Sequence, residues 1–142
     1  MSKRASQAAA ACLAASVALA ATGCSVVNNV KTVGNALEGA ASPATVTLGE
    51  LLPPIQRAAI ACPYSGEGVN ELFGETVFRN EDLDDSVNWI VAKLERGALV
   101  KERLNRAEID VCTSGESVRE IGEDEPLRFE KADGSSTWVL AN

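Results

Sequence analysis

The first 23 residues differ so sharply from the rest that they limit which part of the chain can form a folded domain. Lys3 and Arg4 give the chain a cationic start, and residues 5–21 carry no charge and are mostly alanine. A positive start, a moderately apolar stretch and small residues before a break are typical of a secretory signal peptide. The stretch has fewer than about 18 strongly apolar residues, too few for a permanent membrane span. What remains of the 142-residue chain is enough for one domain of ordinary size.

The apolar stretch ends in Ala-Thr-Gly-Cys at residues 21–24. This motif resembles the lipobox of bacterial lipoproteins, in which small side chains precede a cysteine whose thiol accepts a lipid. Leucine is the commonest residue three positions before that cysteine, where this chain has Ala21. The resemblance implies a fatty-acylated diacylglycerol on Cys24, cleavage before Cys24, and a mature protein anchored at the extracytoplasmic face of the cell membrane. The alternative is an ordinary signal peptide cleaved near Ala20 or Ala21, which would leave Cys24 as a free thiol.

The remaining cysteines predict a disulfide. Cys12 would leave with the signal peptide and Cys24 would carry the lipid, so Cys62 and Cys112 are left to pair. In an oxidising compartment two cysteines have one connectivity. The bond would close a loop of about 50 residues and stabilise the fold by roughly 4 kcal/mol in the chain-entropy treatment. A metal site is the rival interpretation, but the chain has no histidine and no second CxxC-type pair. We therefore expect a Cys62–Cys112 disulfide, no metal and no cofactor.

The charge balance restricts the partners. All 20 acidic residues follow Gly23, and loss of Lys3 and Arg4 leaves 11 of the 13 basic ones, a net charge of −9 on the mature side chains. Such a chain is not expected to bind nucleic acid or to dock electrostatically on anionic lipid. The charge favours solubility in an exposed compartment.

The mature chain divides into two parts by composition. Residues 24–45 are small and polar, with interspersed glycine, serine and proline, and predict a flexible tether. An alternative is a weak helix lying on the membrane or on a partner, because Val26, Val30, Val33 and Leu37 recur at helical spacing. Residues 46–142 are expected to form the domain.

Two helices are predicted near the start of that domain. Residues 54–62 begin at a proline and would point Cys62 inward. Residues 81–97 follow a plausible N-cap at Asn80, carry acidic first turns and a basic last turn, and end at Gly97.

Short alternating segments follow. Residues 99–112 predict a hairpin that turns at Asn105-Arg106, with complementary charges on one face. Residues 118–121 predict another strand. The clearest hairpin spans residues 127–140, where Asp133-Gly134 is a strong type I′ turn signal that would pair Phe129 with Trp138. The predicted fold class is α+β, with two helices followed by an antiparallel β-meander of four to five strands and one disulfide.

The sequence of the domain contains few patterns that indicate a catalytic or ligand-binding site. Without histidine, Ser-His-Asp and Cys-His arrangements are excluded. A glycosidase needs only two carboxylates, and the candidate groups are residues 80–85 and residues 123–125, each considered on its own. However, the first lacks the spacing of a calcium loop and suits a helix N-terminus, and the second precedes Pro126 in what reads as a solvated turn. The glycines of residues 65–74 lack the GxxxxGK[ST] context of a phosphate loop. We predict no catalytic, cofactor-binding or metal-binding residue.

Trp89 is the one residue that suggests a contact. On the predicted helix it falls opposite an apolar stripe formed by Leu83, Val87, Ile90 and Leu94, with Asp85 and Lys93 as its neighbours four residues away. Tryptophan is enriched at interface hot spots. The alternative is that residues 63–79 pack over it as a second small cluster.

The sequence as a whole predicts a lipid-anchored protein of the cell envelope with a small, non-catalytic binding or structural domain. Its partners would be the membrane, through the lipid on Cys24, and an unidentified protein or small ligand. Two other functions stay open: binding of a small apolar ligand or lipid in a pocket under the helices, and a carboxylate-dependent hydrolase.

Overall fold

The computed structural model describes the backbone of residues 26–28 and residues 32–79 and 84–141 in full. Its helices are α1 (Thr32–Leu37), α2 (Leu48–Leu51) and α3 (Gly66–Phe73). Its strands are β1 (Val26–Asn28), β2 (Ala44–Val46), β3 (Ile55–Ala61), β4 (Val87–Leu94), β5 (Leu99–Asn105), β6 (Ile109–Asp110), β7 (Val118–Ile121), β8 (Leu127–Glu130) and β9 (Trp138–Leu140).

These strands form two sheets. The five-stranded sheet has the order β1-β5-β4-β3-β7. Its β3, β4 and β5 are an antiparallel meander, β7 is antiparallel to β3, and β1 runs parallel to β5. The four-stranded sheet has the order β2-β8-β9-β6, with β6 parallel to β9 and the other pairs antiparallel.

The main core is made of side chains from both sheets together with α1. Val33 and Leu37 of α1, Ile90 of β4 and Phe129 of β8 belong to this one buried cluster. A second cluster covers the opposite face of the five-stranded sheet, where α3 and residues 77–78 pack on β3 and β4. The five-stranded sheet is thus covered on both faces, and this explains why its central strands are almost continuously buried.

The α+β class and the disulfide are confirmed. Cys62 and Cys112 are joined, with a Cα–Cα distance of 5.7 Å across 50 residues of sequence. Cys62 directly follows β3 and Cys112 lies just after β6, so the bond links the two sheets. The prediction that it joins a helix to the sheet is wrong, because the segment before Cys62 is a strand.

The predicted helix of residues 81–97 is wrong. Residues 87–94 form β4, and residues 95–97 form the turn into β5; residues 80–83 lie outside the described part of the chain. In β4 all residues from 87 to 92 are buried, because both faces of the sheet are covered. Asn88 is the polar residue among these. With Asn88 left out, the apolar residues Val87, Ile90, Val91 and Leu94 recur at the spacing of one face of a helix. The enrichment in β-branched and aromatic side chains is the signal that favours a strand.

The predicted helix of residues 54–62 is also wrong, since residues 55–61 form β3. This strand lies between β4 and β7, and Ala58–Ala61 are buried there on both faces. Small alanine side chains let α3 approach one face of β3, although alanine on its own favours a helix. Tertiary packing overrides that propensity.

The C-terminal hairpin is confirmed with a different register. The turn lies where it was predicted, with the Ser135 N–H donating to the Ala132 carbonyl at 2.9 Å. The predicted type I′ geometry is wrong, because that turn needs a positive φ at both central residues and only Gly134, at 75°, has one. Phe129, however, is opposite Leu140 rather than Trp138, because residues 131–137 form a longer loop. A shift of two residues keeps each side chain on its predicted face.

The predicted hairpin of residues 99–112 is wrong. The chain does turn at residues 106–108, but β5 pairs with β4 in one sheet and β6 pairs with β9 in the other. The turn therefore carries the chain between sheets. The strand predicted at residues 118–121 is confirmed as β7.

The predicted tether needs correction over residues 32–45. Val33 and Leu37 are 0% and 2% exposed, and β2 pairs with β8. The helical spacing seen in the sequence is real over α1, but that helix packs in the core rather than on a membrane or a partner. The backbone of β1 is likewise part of the five-stranded sheet, whereas Cys24 lies outside the described residues.

Candidate functional site

The candidate site is one end of the five-stranded sheet, where Tyr64 projects from the segment after β3. Among the described residues, Tyr64 is the large hydrophobic side chain that is exposed, at 75%. Its φ of 63° places it in the left-handed region, where non-glycine residues are uncommon. Such a conformation in a bulky residue persists only where the surrounding structure imposes it.

Hydrogen bonds and the disulfide impose this conformation. On one side, Cys62 is held by its bond to Cys112, and its N–H donates to the Ser117 carbonyl at 2.9 Å. On the other side, the buried Ser65 hydroxyl donates to the Cys62 carbonyl at 2.6 Å. Both neighbours of the Pro63-Tyr64 pair are therefore fixed, and the Tyr64 side chain is directed into solvent.

Two aspartates lie beside Tyr64 in the segment before β4. The pKa of the Tyr64 phenol is raised, chiefly by the nearby Asp85 carboxylate and to a smaller extent by the negative charge of Asp84. Asp84 accepts the Ser86 N–H at 2.8 Å, and its hydrogen bonds from Ser86 hold the pKa of the Asp84 carboxyl below its usual range. Arg103 also acts electrostatically on Asp84.

The turn after β5 holds the segment that carries Asp84 and Asp85 in place. The Arg106 N–H donates to the Ser86 carbonyl at 2.9 Å, and the Arg106 guanidinium bonds Asp110 at 3.1 Å. We call the surface made by residues 62–65, 84–86, 106–108 and 112–117 the Tyr64 end. Its segments are cross-linked to one another, so its exposed groups are presented in fixed positions, as binding sites require.

Trp89, the predicted partner contact, lies inside the protein. It is 8% exposed and makes an edge-to-face contact with Phe78, with ring centroids 5.2 Å apart. Lys101 places its Nζ 5.7 Å from the Trp89 ring. The prediction of a surface contact is corrected, and the alternative in which residues 63–79 cover Trp89 is the arrangement found. The error follows from the helix prediction, since the face assigned to Trp89 depended on it.

The two acidic groups considered as candidates lie in different parts of the structure. Asp84 and Asp85 belong to the Tyr64 end, whereas residues 123–125 lie in the turn between β7 and β8. There the Glu125 carboxylate accepts from the Gly122 N–H at 3.0 Å and pairs with Arg119. The segment at residues 65–74, considered as a phosphate loop, contains α3 and packs on β3 through Val69 and Phe73.

Glu102 is a buried acid that the sequence analysis missed. It is 2% exposed, and its two carboxylate oxygens each accept at 2.8 Å, one from the Val33 N–H and one from the Gly34 N–H. Burial raises the pKa of the Glu102 carboxyl, against the effect of these hydrogen bonds. Glu102 alternates in β5 with the core residues Val100 and Leu104. This alternation in the sequence is the signal from which the burial of Glu102 could have been predicted. Because both oxygens are engaged by α1, the role of Glu102 is to attach the helix to the sheet.

Two clefts on the surface have apolar side chains in their linings, Leu37, Ile109 and Trp138 in one and Leu72 and Val118 in the other. Two others are lined largely by charged and polar side chains. One of about 250 Å³ lies between α1 and the turn after β5, and its charged lining residues are Glu38, Glu102, Arg103 and Glu108. Another of about 340 Å³ is lined by Gln56, Arg57, Phe73 and Lys93. In the second cleft, Arg57 is paired with Glu120 and Lys93 with Glu75. Neither lining resembles the apolar pocket that a small hydrophobic ligand would need.

Within the described residues, no group of three or more histidine, cysteine, aspartate or glutamate side chains could hold a metal ion. None of the helices in that part of the chain has the length and apolar character needed to cross a membrane. No protein-family model, no curated protein and no solved structure matches the chain.

Proposed function

We propose that the protein is a lipid-anchored component of the cell envelope whose non-catalytic domain binds another protein outside the cytoplasm. The observation that carries this proposal is that the start of β1 and the Tyr64 end lie at opposite ends of the five-stranded sheet. An anchor on Cys24 would then leave the Tyr64 end directed away from the membrane.

The strand registers give the geometry. At one end of the sheet Val26 is level with Leu99, which is level with Lys93 of β4. At the other end Val87 of β4 is level with Asn105, and Trp89 is opposite Ala61, the last residue of β3. Strand β4 has 8 residues and spans about 23 Å between these ends at roughly 3.3 Å per residue. Tyr64 comes three residues after Ala61, beyond that span.

The position of Val26 also limits the distance to the membrane. Cys24 precedes Val26 by two residues, a reach of at most about 7 Å in an extended chain. A domain anchored in this way would be held close to the lipid head groups instead of on a long tether. Which surface of the domain a partner can reach is then determined by how the domain is oriented relative to the membrane.

The disulfide supports the extracytoplasmic side of the proposal. Structural disulfides persist in oxidising compartments and are rare in the cytosol. The bond also fixes the segment from which Tyr64 projects, so folding in an oxidising compartment and formation of the contact surface depend on the same pair of cysteines. Binding is favoured over catalysis because the buried acid Glu102 is already engaged by α1 and the exposed aromatic is preorganised.

Fatty-acid incorporation in the native host tests the anchor. Cells grown with an alkyne-tagged fatty acid should label the wild-type protein and the Cys12→Ala variant, whereas Cys24→Ala should carry no label. Cys12→Ala is the matched control, because it removes a thiol from the same N-terminal segment. Equal labelling of Cys24→Ala, or a wild-type protein without label, would contradict the anchor.

A further inference from the structure

We infer that the outer edge of β7 binds an extended segment of a partner protein as an additional β-strand. An apolar side chain of that segment would lie in the cleft between β7 and α3, next to a lysine or arginine two residues away. This inference rests on the proposed function and names the surface and the chemistry of its partner.

Strand β7 is an edge of the five-stranded sheet. Within the described part of the chain no strand lies beyond it. Its 4 residues make it the longest edge strand of the two sheets, since β1 and β2 have 3 residues and β6 has 2. Val118 is level with Ala61, so β7 starts at the Tyr64 end, and β1 forms the opposite edge of the same sheet. An anchor ahead of β1 would therefore leave the β7 edge accessible to a partner.

The hydrogen bonds identify which backbone groups of β7 face outward. The Cys62 N–H donates to the Ser117 carbonyl at 2.9 Å, so the polar backbone groups of Ser117 face β3. Because hydrogen-bonded and non-hydrogen-bonded pairs alternate in an antiparallel ladder, every second residue after Ser117 also faces β3. The N–H and carbonyl groups of Val118 and Glu120 point away from the sheet instead. A row of such groups is a template for another strand.

The same two residues line a cleft. It has a volume of about 460 Å³ and lies between β7 and α3, and its other lining residues are Gly68, Glu71 and Leu72. Leu72 and Val118 are only partly buried against the second cluster. In a strand paired with β7, the residues opposite Val118 and Glu120 would have their side chains on the face of the sheet that carries this cleft. The cleft can therefore receive an apolar side chain of an added strand.

Contacts between α3 and β7 fix the two walls of the cleft. The Arg57 guanidinium pairs with Glu120 at 3.0 Å and also donates to the Leu72 carbonyl. On the helix, Gly68 permits a close approach, because a Cβ at this position would lie 3.1 Å from the Val118 side chain. The cleft is thus formed before a partner binds, which lowers the cost of binding.

The charge of the cleft determines the second side chain of the partner segment. Glu71 is exposed and forms no ion pair within the described residues, and Glu120 shares its charge with Arg57. Two carboxylates against one guanidinium leave the rim negative. A lysine or arginine is complementary to it. Because side chains alternate along a strand, the apolar residue and the cation would be two residues apart.

A second copy of this chain is a poorer fit to the β7 edge than another protein. Two β7 strands related by a two-fold axis would have to place outward-facing residues opposite one another. The registers that pair Val118 and Glu120 in this way bring like charges together: Arg119 opposite Arg119, Glu120 opposite Glu120, or Glu116 opposite Glu120. Like charges directly opposite each other destabilise a sheet.

Peptide titration tests the inference. The probe is the fluorescein-labelled peptide KTVTKTVTK, whose lysines and valines share one face of a strand, titrated with the purified full-length mature protein while anisotropy is recorded. The peptide residues over the cleft are also those whose N–H groups bond β7. N-methylation of the two valines should therefore weaken binding about ten-fold or more, whereas N-methylation of two threonines should leave it within about two-fold. Equal loss with both peptides, or no binding of the unmodified peptide, would overturn the inference.

Protein variants test the same contact from the other side. Glu120→Pro removes an outward N–H without removing a β3–β7 hydrogen bond, and should weaken binding about ten-fold or more. Glu71→Gln/Glu120→Gln should weaken it about three- to ten-fold. The matched control, Glu38→Gln/Glu108→Gln, removes the same charge from exposed positions on α1 and the turn after β5, and should have no effect. Equal effects of the two double variants contradict the assignment, and thermal melts show that each variant is folded.

Sedimentation velocity distinguishes the two kinds of partner. The wild type should sediment as a monomer, and a dimer that Glu120→Pro dissociates would assign the β7 edge to a second copy and overturn the inference. The titration does not depend on lipidation, so its failure and the failure of the Cys24 labelling experiment are distinguishable.

Discussion

The Glu102 carboxylate accepts the backbone N–H of Val33 at 2.8 Å, across 69 residues of sequence. This bond and its companion to Gly34 attach the first turn of α1 to the middle of β5. They explain how a short helix near the N-terminus becomes part of the main core.

Replacing this carboxylate should destabilise the fold. Glu102→Ala leaves the N–H groups of Val33 and Gly34 without their acceptor, and we expect a loss of about 1–3 kcal/mol in the free energy of unfolding. Urea denaturation measures it. Glu120→Ala removes a glutamate from the solvent-exposed face of β7 and should change stability by less than about 0.5 kcal/mol. Equal effects of the two variants would contradict the role given to Glu102.

The pH dependence of stability should depend on Glu102. Its folded-state pKa is raised above its ordinary value of 4.5, chiefly by burial. The folded state therefore holds the proton more tightly than the unfolded state does, and the contribution of Glu102 to stability is full below pH 4.5 and is lost as the pH rises through the folded-state pKa. Glu102→Gln removes this titration. The stability of the wild type relative to Glu102→Gln, measured by denaturation from acid to neutral pH, should fall across that window. A rise would show that the two backbone hydrogen bonds outweigh burial.

Asn88 should matter as a link between the sheets. Its amide donates to the carbonyls of Leu104 and Ile109, both at 3.1 Å, and its carbonyl accepts the Val111 N–H at 2.7 Å. Asn88→Ala leaves these buried groups unpaired, and we expect a loss of about 1–3 kcal/mol or more. Asn35→Ala, at an exposed position of α1, serves as the control and should have a much smaller effect. A neutral Asn88→Ala would contradict this account of the inter-sheet link.

Removing the disulfide should destabilise the domain without changing its topology. Cys62→Ala/Cys112→Ala frees a loop of 50 residues in the unfolded chain, and the expected loss is roughly 4 kcal/mol. Guanidinium denaturation of the oxidised wild type and the double variant gives the difference. A wild type that is equally stable before and after complete reduction would show that the bond contributes little.

The two aromatic residues considered as contacts should behave in opposite ways. Trp89→Ala empties a buried site against Phe78, and we expect a loss of about 3–5 kcal/mol. Tyr64→Gly relieves a left-handed conformation and should leave the melting temperature unchanged or higher. Differential scanning calorimetry distinguishes them. A large loss of stability in Tyr64→Gly would mean that the ring supports the fold and is not primarily a contact.

The sequence alone predicted what local chemistry determines. The Asp133-Gly134 turn, the strand at residues 118–121 and the cysteine pair depend on turn preferences and on cysteine chemistry, and all three are present. The two long helices failed for a common reason. β3 and β4 are covered on both faces, so they lack the alternation that marks a half-exposed strand, and their alanines and acidic flanks favour a helix locally.

The candidate site was predicted only in part. The pairing of Cys62 with Cys112 was predicted, but Tyr64 stood in a segment interpreted as a loop, and its left-handed φ cannot be read from a Pro-Tyr-Ser sequence. Asp85 was interpreted as part of a helix N-terminus. Its position near Tyr64 requires that β3 and β4 pair in the observed register, which brings their ends together, and nothing local determines that register.

The most direct test of the proposed anchor is the mass of the N-terminal peptide from protein recovered in the membrane fraction. The proposal predicts a mature chain that begins at Cys24 and carries an acylglyceryl group. An unmodified N-terminus, or cleavage at another position, would contradict it and would make the protein a freely secreted one.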